Sequence, residues 1–117
     1  MREILFKAKT EWDNVWVEGY YNDENVIMLR DNNKTHRTII PETLSQYTGV
    51  KDQHEVKVFE NDLIKVAGRI CKVFWDERLC GWSCRDIKIT DTESLWYCAS
   101  LSWVSYMPLE IVGNVYD

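Results

Sequence analysis

The sequence predicts a mainly β chain of short antiparallel strands, with one short helical turn near residues 41–46. Three observations predict it. Apolar and polar residues alternate with period two around Ile4-Phe6-Ala8 and Ile111-Gly113-Val115. Clusters of turn-forming residues recur at short intervals, at Asp13-Asn14, Asn22 to Asn25, Asp31 to Lys34 and Asp76-Glu77-Arg78. Between them lie runs rich in β-branched and aromatic residues, which fit a pleated, half-buried surface.

Taken in order, Glu3 to Ala8 reads as a first strand and Val15 to Tyr21 as a second. Gly19 inside the second hints at a bulge or a close backbone approach. Val26 to Arg30 returns as a third strand, and Arg37 to Ile40 as a fourth. The first forty residues are therefore a meander. Pro41 forces Ile40 into an extended conformation, and proline is favoured at the first position of a helical turn. Glu42 beside it suits the positive end of the helix dipole. Pro41 to about Gln46 then forms a helical turn, with Leu44 and Tyr47 on one face and Gly49 as its terminator.

Beyond that turn, Val58 and Leu63 to Val66 carry strand-type residues around a turn at Glu60-Asn61-Asp62. Asn61 is the non-glycine residue most willing to take positive φ. Leu63 to Trp75 reads as a hairpin. A three-residue loop Val66-Ala67-Gly68 would set Ile64 opposite Ile70 and Lys65 opposite Arg69, with apolar partners on one face and cations on the other. Gly81 to Arg85 is a further strand, with Cys80, Trp82 and Cys84 expected on one face, and Ile87 to Thr90 another. Residues 94–106 fit either a short amphipathic helix or strands broken near Ser100. Pro108 cannot donate, so the last strand begins after it.

The pattern from Ile39 onward resembles the central signature of the YopX family. The matching residues are Ile39-Ile40, Pro41-Glu42-Thr43, Gln46-Tyr47-Thr48-Gly49, Lys51-Asp52 and Phe59-Glu60-Asn61-Asp62-Leu63-Ile64. Asn61 stands where the family commonly has glycine, and Gln53-His54-Glu55 lacks a glycine usual there. The start (Ile4, Phe6, Lys7, Ala8, then Trp16 to Tyr20) and the end (Leu109 to Asp117, with Gly113 and Asn114) are similar as well; residues 76–108 match least. The resemblance implies one YopX-like domain over residues 1–117: a β-meander over 1–49 and a small SH3-like barrel from about residue 50. It also implies an origin in phages or prophages of Gram-positive bacteria and assembly into a multimer. It implies no reaction.

Composition bounds the function classes. A chain of 117 residues is single-domain length and can bury about two-thirds of its unfolded surface. A net charge of −5 lacks the basic footprint of wholesale phosphate neutralisation, which disfavours nucleic acid as the main partner. No apolar run reaches the roughly 20 residues of a membrane span, and Met1-Arg2-Glu3 leads into alternation and not a signal sequence. The expected location is the host cytoplasm. Cys71, Cys80, Cys84 and Cys98 lie nine, four and fourteen residues apart, without the close pairs of a zinc knuckle. Reduced, buried thiols and no metal are expected.

No nucleophile elbow, phosphate loop or metalloprotease helix is present. Acidic pairs such as Glu60 with Asp62 and Asp76 with Glu77 fall in turns and read as solvated residues, as do His36 and His54. Lys65, Arg69 and Lys72 could form a small anion or partner patch at the hairpin tip. Six Trp and six Tyr exceed what most domains of this size carry, and aromatic residues are enriched where proteins meet. The expectation is a module without catalytic residues or cofactor that self-associates or binds a host or phage protein. The alternative is a nucleic-acid-associated module of phage DNA metabolism or regulation.

Overall fold

A computed structural model describes residues 4–22, 26–29, 35–88 and 98–117. Strands dominate it, all paired antiparallel, and the helical content is one 3₁₀ turn and one single-turn α-helix. The chain divides into two compact units, Met1–Tyr47 and Thr48–Asp117. Among the described residues no helix is long and apolar enough to cross a membrane.

The first unit holds β1 (Phe6–Lys9), β2 (Trp16–Tyr21), β3 (Val26–Leu29) and β4 (His36–Thr38), paired in sequence order. Alternation sends Ala8 inward with Ile27 and Ile39, and Phe6, Val17, Tyr21, Leu29 and Leu44 pack around them. Gly19 pairs regularly with Phe6 on one side and Leu29 on the other, so it marks no bulge. The meander curls back through a bridge between Thr10 and Ile39. There Ile40 donates to the Lys9 carbonyl at 2.8 Å and Glu11 to that of Thr38 at 3.0 Å.

The expected helical turn is a 3₁₀ turn over Pro41–Thr43 only. Ile40 before it is extended, as a residue before proline must be. Thr43 holds the turn against β1: its hydroxyl donates to the Ile40 carbonyl and accepts from the Lys9 N–H. Gln46 and Tyr47 are not in the turn, and Gly49 does not end it. All three lie in β5 (Ser45–Lys51), where Gly49 has φ +87. The turn stops early because Ser45 and Gln46 are drawn into pairing with β1, and Tyr47 donates to the Leu5 carbonyl.

Strand β5 crosses the division between the units. Its later half bonds to β6 (Lys57–Phe59), and the Thr48 hydroxyl donates to the Val58 carbonyl. The rest of the second unit is a five-stranded sheet. It contains β7 (Asp62–Val66), β8 (Arg69–Asp76), β9 (Gly81–Asp86), β10 (Cys98–Ser100) and β11 (Leu109–Asn114), in the order β10-β9-β8-β7-β11. Ile64, Val66, Cys71, Val73 and Cys84 form one face of the core, closed by Val58, Leu109 and by Leu101 and Val104 of α1 (Leu101–Val104).

The resemblance implies an SH3-like barrel here; the sheet is open instead. Three strands separate its edge strands β10 and β11, and among the described residues no strand pairing closes them on each other. The outer edge of β11 bonds to the β5–β6 loop: Gln53 donates to the Leu109 carbonyl and Ile111 to the Asp52 carboxylate.

The β7–β8 hairpin also corrects the sequence reading. Its loop has two residues, Ala67 and Gly68, with φ +51 and +77, and Ile64 faces Cys71 while Lys65 faces Ile70. Two successive positive φ values match the right-handed twist of the flanking strands, which a three-residue loop would have served less well. This register buries Cys71 and Val73 and leaves Ile70 exposed. Cys80 is not on β9 either. It sits in the preceding turn at φ +48, exposed, while Trp82 and Cys84 do face the core. Ile87 and Lys88 form a turn, and residues 89–97 lie outside the described ones. Of the ambiguous 94–106, residues 98–100 are strand and 101–104 are helix. Turn predictions at residues 23–25 and 31–34 also fall outside.

Candidate interaction surface

The residues that carry the family signature are fasteners within each unit. Asp62 is 1% exposed; one carboxylate oxygen accepts from the Phe59 N–H at 2.8 Å, the other from Asn114 Nδ2 at 2.9 Å. Asn114 in turn accepts from the Tyr116 N–H. Asn61, at φ +70, accepts from the Val115 N–H and donates to the Val73 carbonyl. One turn thereby ties β6, β7, β8 and the end of β11. Gly113 opposes Leu63 after a break in register at β11, and Glu60 is half-buried beside Asn61. Pro41 and Glu42 are exposed on the 3₁₀ turn, and Tyr47 is buried.

Asp52 has the same role at the other end of that unit. It is 6% exposed and accepts from His54 and Val56 on one oxygen and from Ile111 on the other. Burial raises its pKa, but these three N–H donors and the nearby His54 outweigh it and hold the carboxyl below the usual range. Glu55, in the Gln53-His54-Glu55 turn, takes φ +64, a conformation that glycine adopts without strain.

The proposed cationic patch does not assemble. Opposite residues share a face, so Arg69 lies on the face of Val66 while Lys65 and Lys72 lie on the other. Arg69 moreover reaches Asp86 at 3.5 Å. In the first unit, Lys7 and Lys9 both stand over the Trp16 ring, at 4.8 and 5.5 Å from its centroid.

Cys71 and Cys84 are buried neighbours in the core, and Cys80 is exposed; all three are free thiols. The hydrogen bond with Cys84 lowers the Cys71 pKa more than burial raises it. Among the described residues no three His, Cys, Asp or Glu side chains are placed to hold a metal ion.

What stands out is apolar surface on pinned turns. At the β8–β9 hairpin end, Trp75 and Trp82 pack edge to face with centroids 5.1 Å apart. Trp75 is 43% exposed and Leu79 63%, so these two present apolar surface beside the Cys80 turn, with the half-buried Trp82 packed behind Trp75 and against the core. The turn is fixed by Asp76, buried, which accepts from the Arg78 backbone N–H and guanidinium. Those Arg78 bonds hold the Asp76 carboxyl below the usual range against burial.

The first unit has a comparable feature. Trp12 is 90% exposed on the turn from Thr10 to Val15. Asn14 takes φ +55 there, and the Thr10 hydroxyl donates to Asp13 and accepts from the Val15 N–H. Arg37 Nη2 donates to both Asp13 oxygens at 3.0 Å. Hydrogen bonds from Thr10 and then Arg37 depress the Asp13 pKa.

Sequence reasoning singled out aromatic surplus but neither Trp12 nor the Trp75–Leu79 end. The available signal was position: Trp12 immediately precedes Asp13-Asn14, and Trp75 immediately precedes Asp76-Glu77-Arg78. An aromatic residue at the shoulder of a turn has few neighbours to bury it.

No curated protein matches the chain. A family model described as YopX protein matches residues 6–117. That span takes in the Asp52, Asp62 and Asn114 fasteners as well as both aromatic turns, and the chain belongs to the YopX family.

Proposed function

We propose that this protein is a non-enzymatic interaction module of phage or prophage origin. It works in the host cytoplasm by self-associating or by binding a host or phage protein. The observation that carries the reading is the β8–β9 hairpin end. There Trp75, backed edge to face by the half-buried Trp82, and Leu79 present apolar surface on a turn already fixed by Asp76 and Arg78. Tryptophan dominates binding hot spots, and a surface ordered in advance loses little conformational entropy on association. The Trp12 turn supports the same reading from the first unit.

Sedimentation velocity over a wide concentration range tests self-association. Trp75→Ala and Leu79→Ser should each weaken it by roughly 30-fold, the effect of a hot-spot loss of about 2 kcal/mol. Capture from host lysate, with and without nuclease, tests the other arm. A protein that stays monomeric, and captures nothing that the two variants lose, overturns the reading.

The alternative is a nucleic-acid-associated module. The feature favouring it is the placement of Lys7 and Lys9 over Trp16, since cations beside an aromatic ring can take a phosphate and a base. The net charge of −5 weighs against it. Nuclease-sensitive capture, or binding to single-stranded nucleic acid that falls steeply with salt, would select it.

A further inference from the structure

Lys72 has no Arg69 beside it, but it has another arginine. On the five-stranded sheet of the second unit, Lys72 of β8 stands directly opposite Arg85 of β9. Opposite residues share a face, and their Cβ atoms lie about 4.5–5.5 Å apart. This is the face turned away from Cys71, Val73 and Cys84 of the core. Both side chains are half-buried. The residues in register beyond them are Leu63 on β7 and Cys98 on β10, and neither is acidic. Like charges directly opposite each other destabilise a sheet. An anion held between them reverses that sign.

Next to this pair lies a hydroxyl with nothing to bond. Ser83 precedes Arg85 by two positions on β9 and so shares its face. It is opposite Phe74 on one side and Ser100 on the other. Ser83 is 0% exposed, and its Oγ has no hydrogen-bond partner among the described residues. Buried polar groups without a partner lower stability, and folded proteins keep few of them. Asp52, Asp62 and Asp76 of the same unit are all bonded, which sets Ser83 apart.

The register thus brings three donors together on one face: an ammonium, a guanidinium and a hydroxyl. A phosphate group matches that set. Its oxygens take the planar arginine fork two at a time, its second charge answers the lysine, and a third oxygen remains for the serine. A carboxylate has one charge and two oxygens and leaves a donor over. A long polyanion fits less well, because the site offers two adjacent cations and not a track, on a chain of net charge −5.

We propose that Lys72, Arg85 and Ser83 form a binding site for the phosphate group of a small phosphomonoester. The group sits over the Lys72–Arg85 pair with one oxygen directed down to Ser83. Both charged heads ride on long rotatable stems, and their rotation admits that oxygen. The site is separate from the Trp75 hairpin end and adds small-ligand binding to protein association.

The experiment uses the full chain with inorganic phosphate and with glycerol phosphate, against chloride at equal ionic strength. Phosphate should give saturable NMR shifts centred on Lys72, Ser83 and Arg85 and should raise the melting temperature as its concentration rises. Glycerol phosphate should bind at least as tightly. Arg85→Lys keeps the charge and loses the fork, and Lys72→Gln loses the charge; each should weaken binding about tenfold or more. Circular dichroism establishes that both fold, and if Lys72→Gln does not, Arg85→Lys decides the outcome.

Ser83→Ala separates a ligand from ordinary packing, because its two effects have opposite sign. Without ligand the variant should melt higher than the parent, since the orphaned hydroxyl is gone. Its affinity for phosphate should nevertheless fall by roughly threefold to tenfold. Phosphate that acts no differently from chloride, or binding that survives both Arg85→Lys and Lys72→Gln, overturns the proposal. So does a Ser83→Ala chain that is less stable without ligand, which would show that the hydroxyl already bonds a buried water. Exclusion of glycerol phosphate, or tighter binding of a single-stranded oligonucleotide through the same residues, overturns the choice of occupant.

Discussion

Removing the Asp62 carboxylate should cost the second unit about 3 kcal/mol. The perturbation is Asp62→Ala. In the native chain this carboxylate is 1% exposed; one oxygen accepts from Phe59 N–H at 2.8 Å and the other from Asn114 Nδ2 at 2.9 Å. Alanine leaves both donors buried without their acceptor. Each orphaned buried donor costs about 1–3 kcal/mol, so two give roughly 2–6 kcal/mol before relaxation. Water entering the vacated volume recovers part of this, which sets the expectation near 3 kcal/mol. Urea unfolding followed by the near-ultraviolet dichroism of the Trp75–Trp82 pair reads the unit concerned. With a slope of about 1–3 kcal/mol/M, the midpoint should fall by about 1–3 M. Asn114→Ala removes the Asn114 bond and keeps that of Phe59, and should cost less than Asp62→Ala. In the double variant the two effects should fall short of additive by about 1 kcal/mol, the coupling expected of directly bonded groups. A loss under about 1 kcal/mol for Asp62→Ala, or full additivity, would falsify the account of Asp62 as the shared acceptor.

Other substitutions probe single steps of the same reasoning. Asn61, at φ +70, should tolerate glycine with neutral or slightly improved stability, while Asn61→Val should cost about 1 kcal/mol or more; equal urea midpoints would remove the conformational explanation. Ala67, at φ +51 in the two-residue β7–β8 loop, should be improved by Ala67→Asn, raising stability by about 0.5 kcal/mol in thermal or urea melts. Asp52 predicts the acid response. Its folded pKa lies below the unfolded value, so its contribution is complete above about pH 4 and is lost as pH falls through the folded value. Stability measured from pH 6 to pH 2 should fall less steeply in Asp52→Asn than in the parent chain.

Much of the β architecture was legible because alternation is a local signal. Ala8, Ile64 and Val66 face inward as their periodicity requires, and Pro41 starts a helical turn where its fixed φ places one. Positive φ at Asn61 was legible from residue type. What failed depended on competition between elements. The turn after Pro41 stops at Thr43 because Ser45 and Gln46 find partners on β1, and no local rule foresees that pairing. Matching side-chain types across the β7–β8 hairpin points to a three-residue loop, whereas backbone twist selects the two-residue turn Ala67-Gly68. That one-residue difference placed Arg69 across the sheet from Lys65, and Lys72, three residues along the same strand, faces away from Arg69 in either register, so the expected patch does not form. Asp52 and Asp62 were recognised as pattern residues, but their acceptor roles depend on Ile111 and Asn114, each more than fifty residues away.

The distribution of polar groups argues for presentation of a surface over chemistry at one. The buried carboxylates Asp52, Asp62 and Asp76 each accept from backbone or side-chain donors on neighbouring segments, and the bonds run to turn N–H groups, to Asn114 or to Arg78. A carboxylate saturated in this way, and in two cases held below its usual pKa, is a poor proton shuttle near neutral pH. It is instead an effective means of fixing a loop. The loops so fixed are the ones beside exposed apolar groups: Asp76 fixes the turn of Trp75 and Leu79, and Asp13 with Arg37 fixes that of Trp12. Ordered turns with outward indoles lower the entropic cost of association, the condition under which a few side chains can carry most of a binding energy.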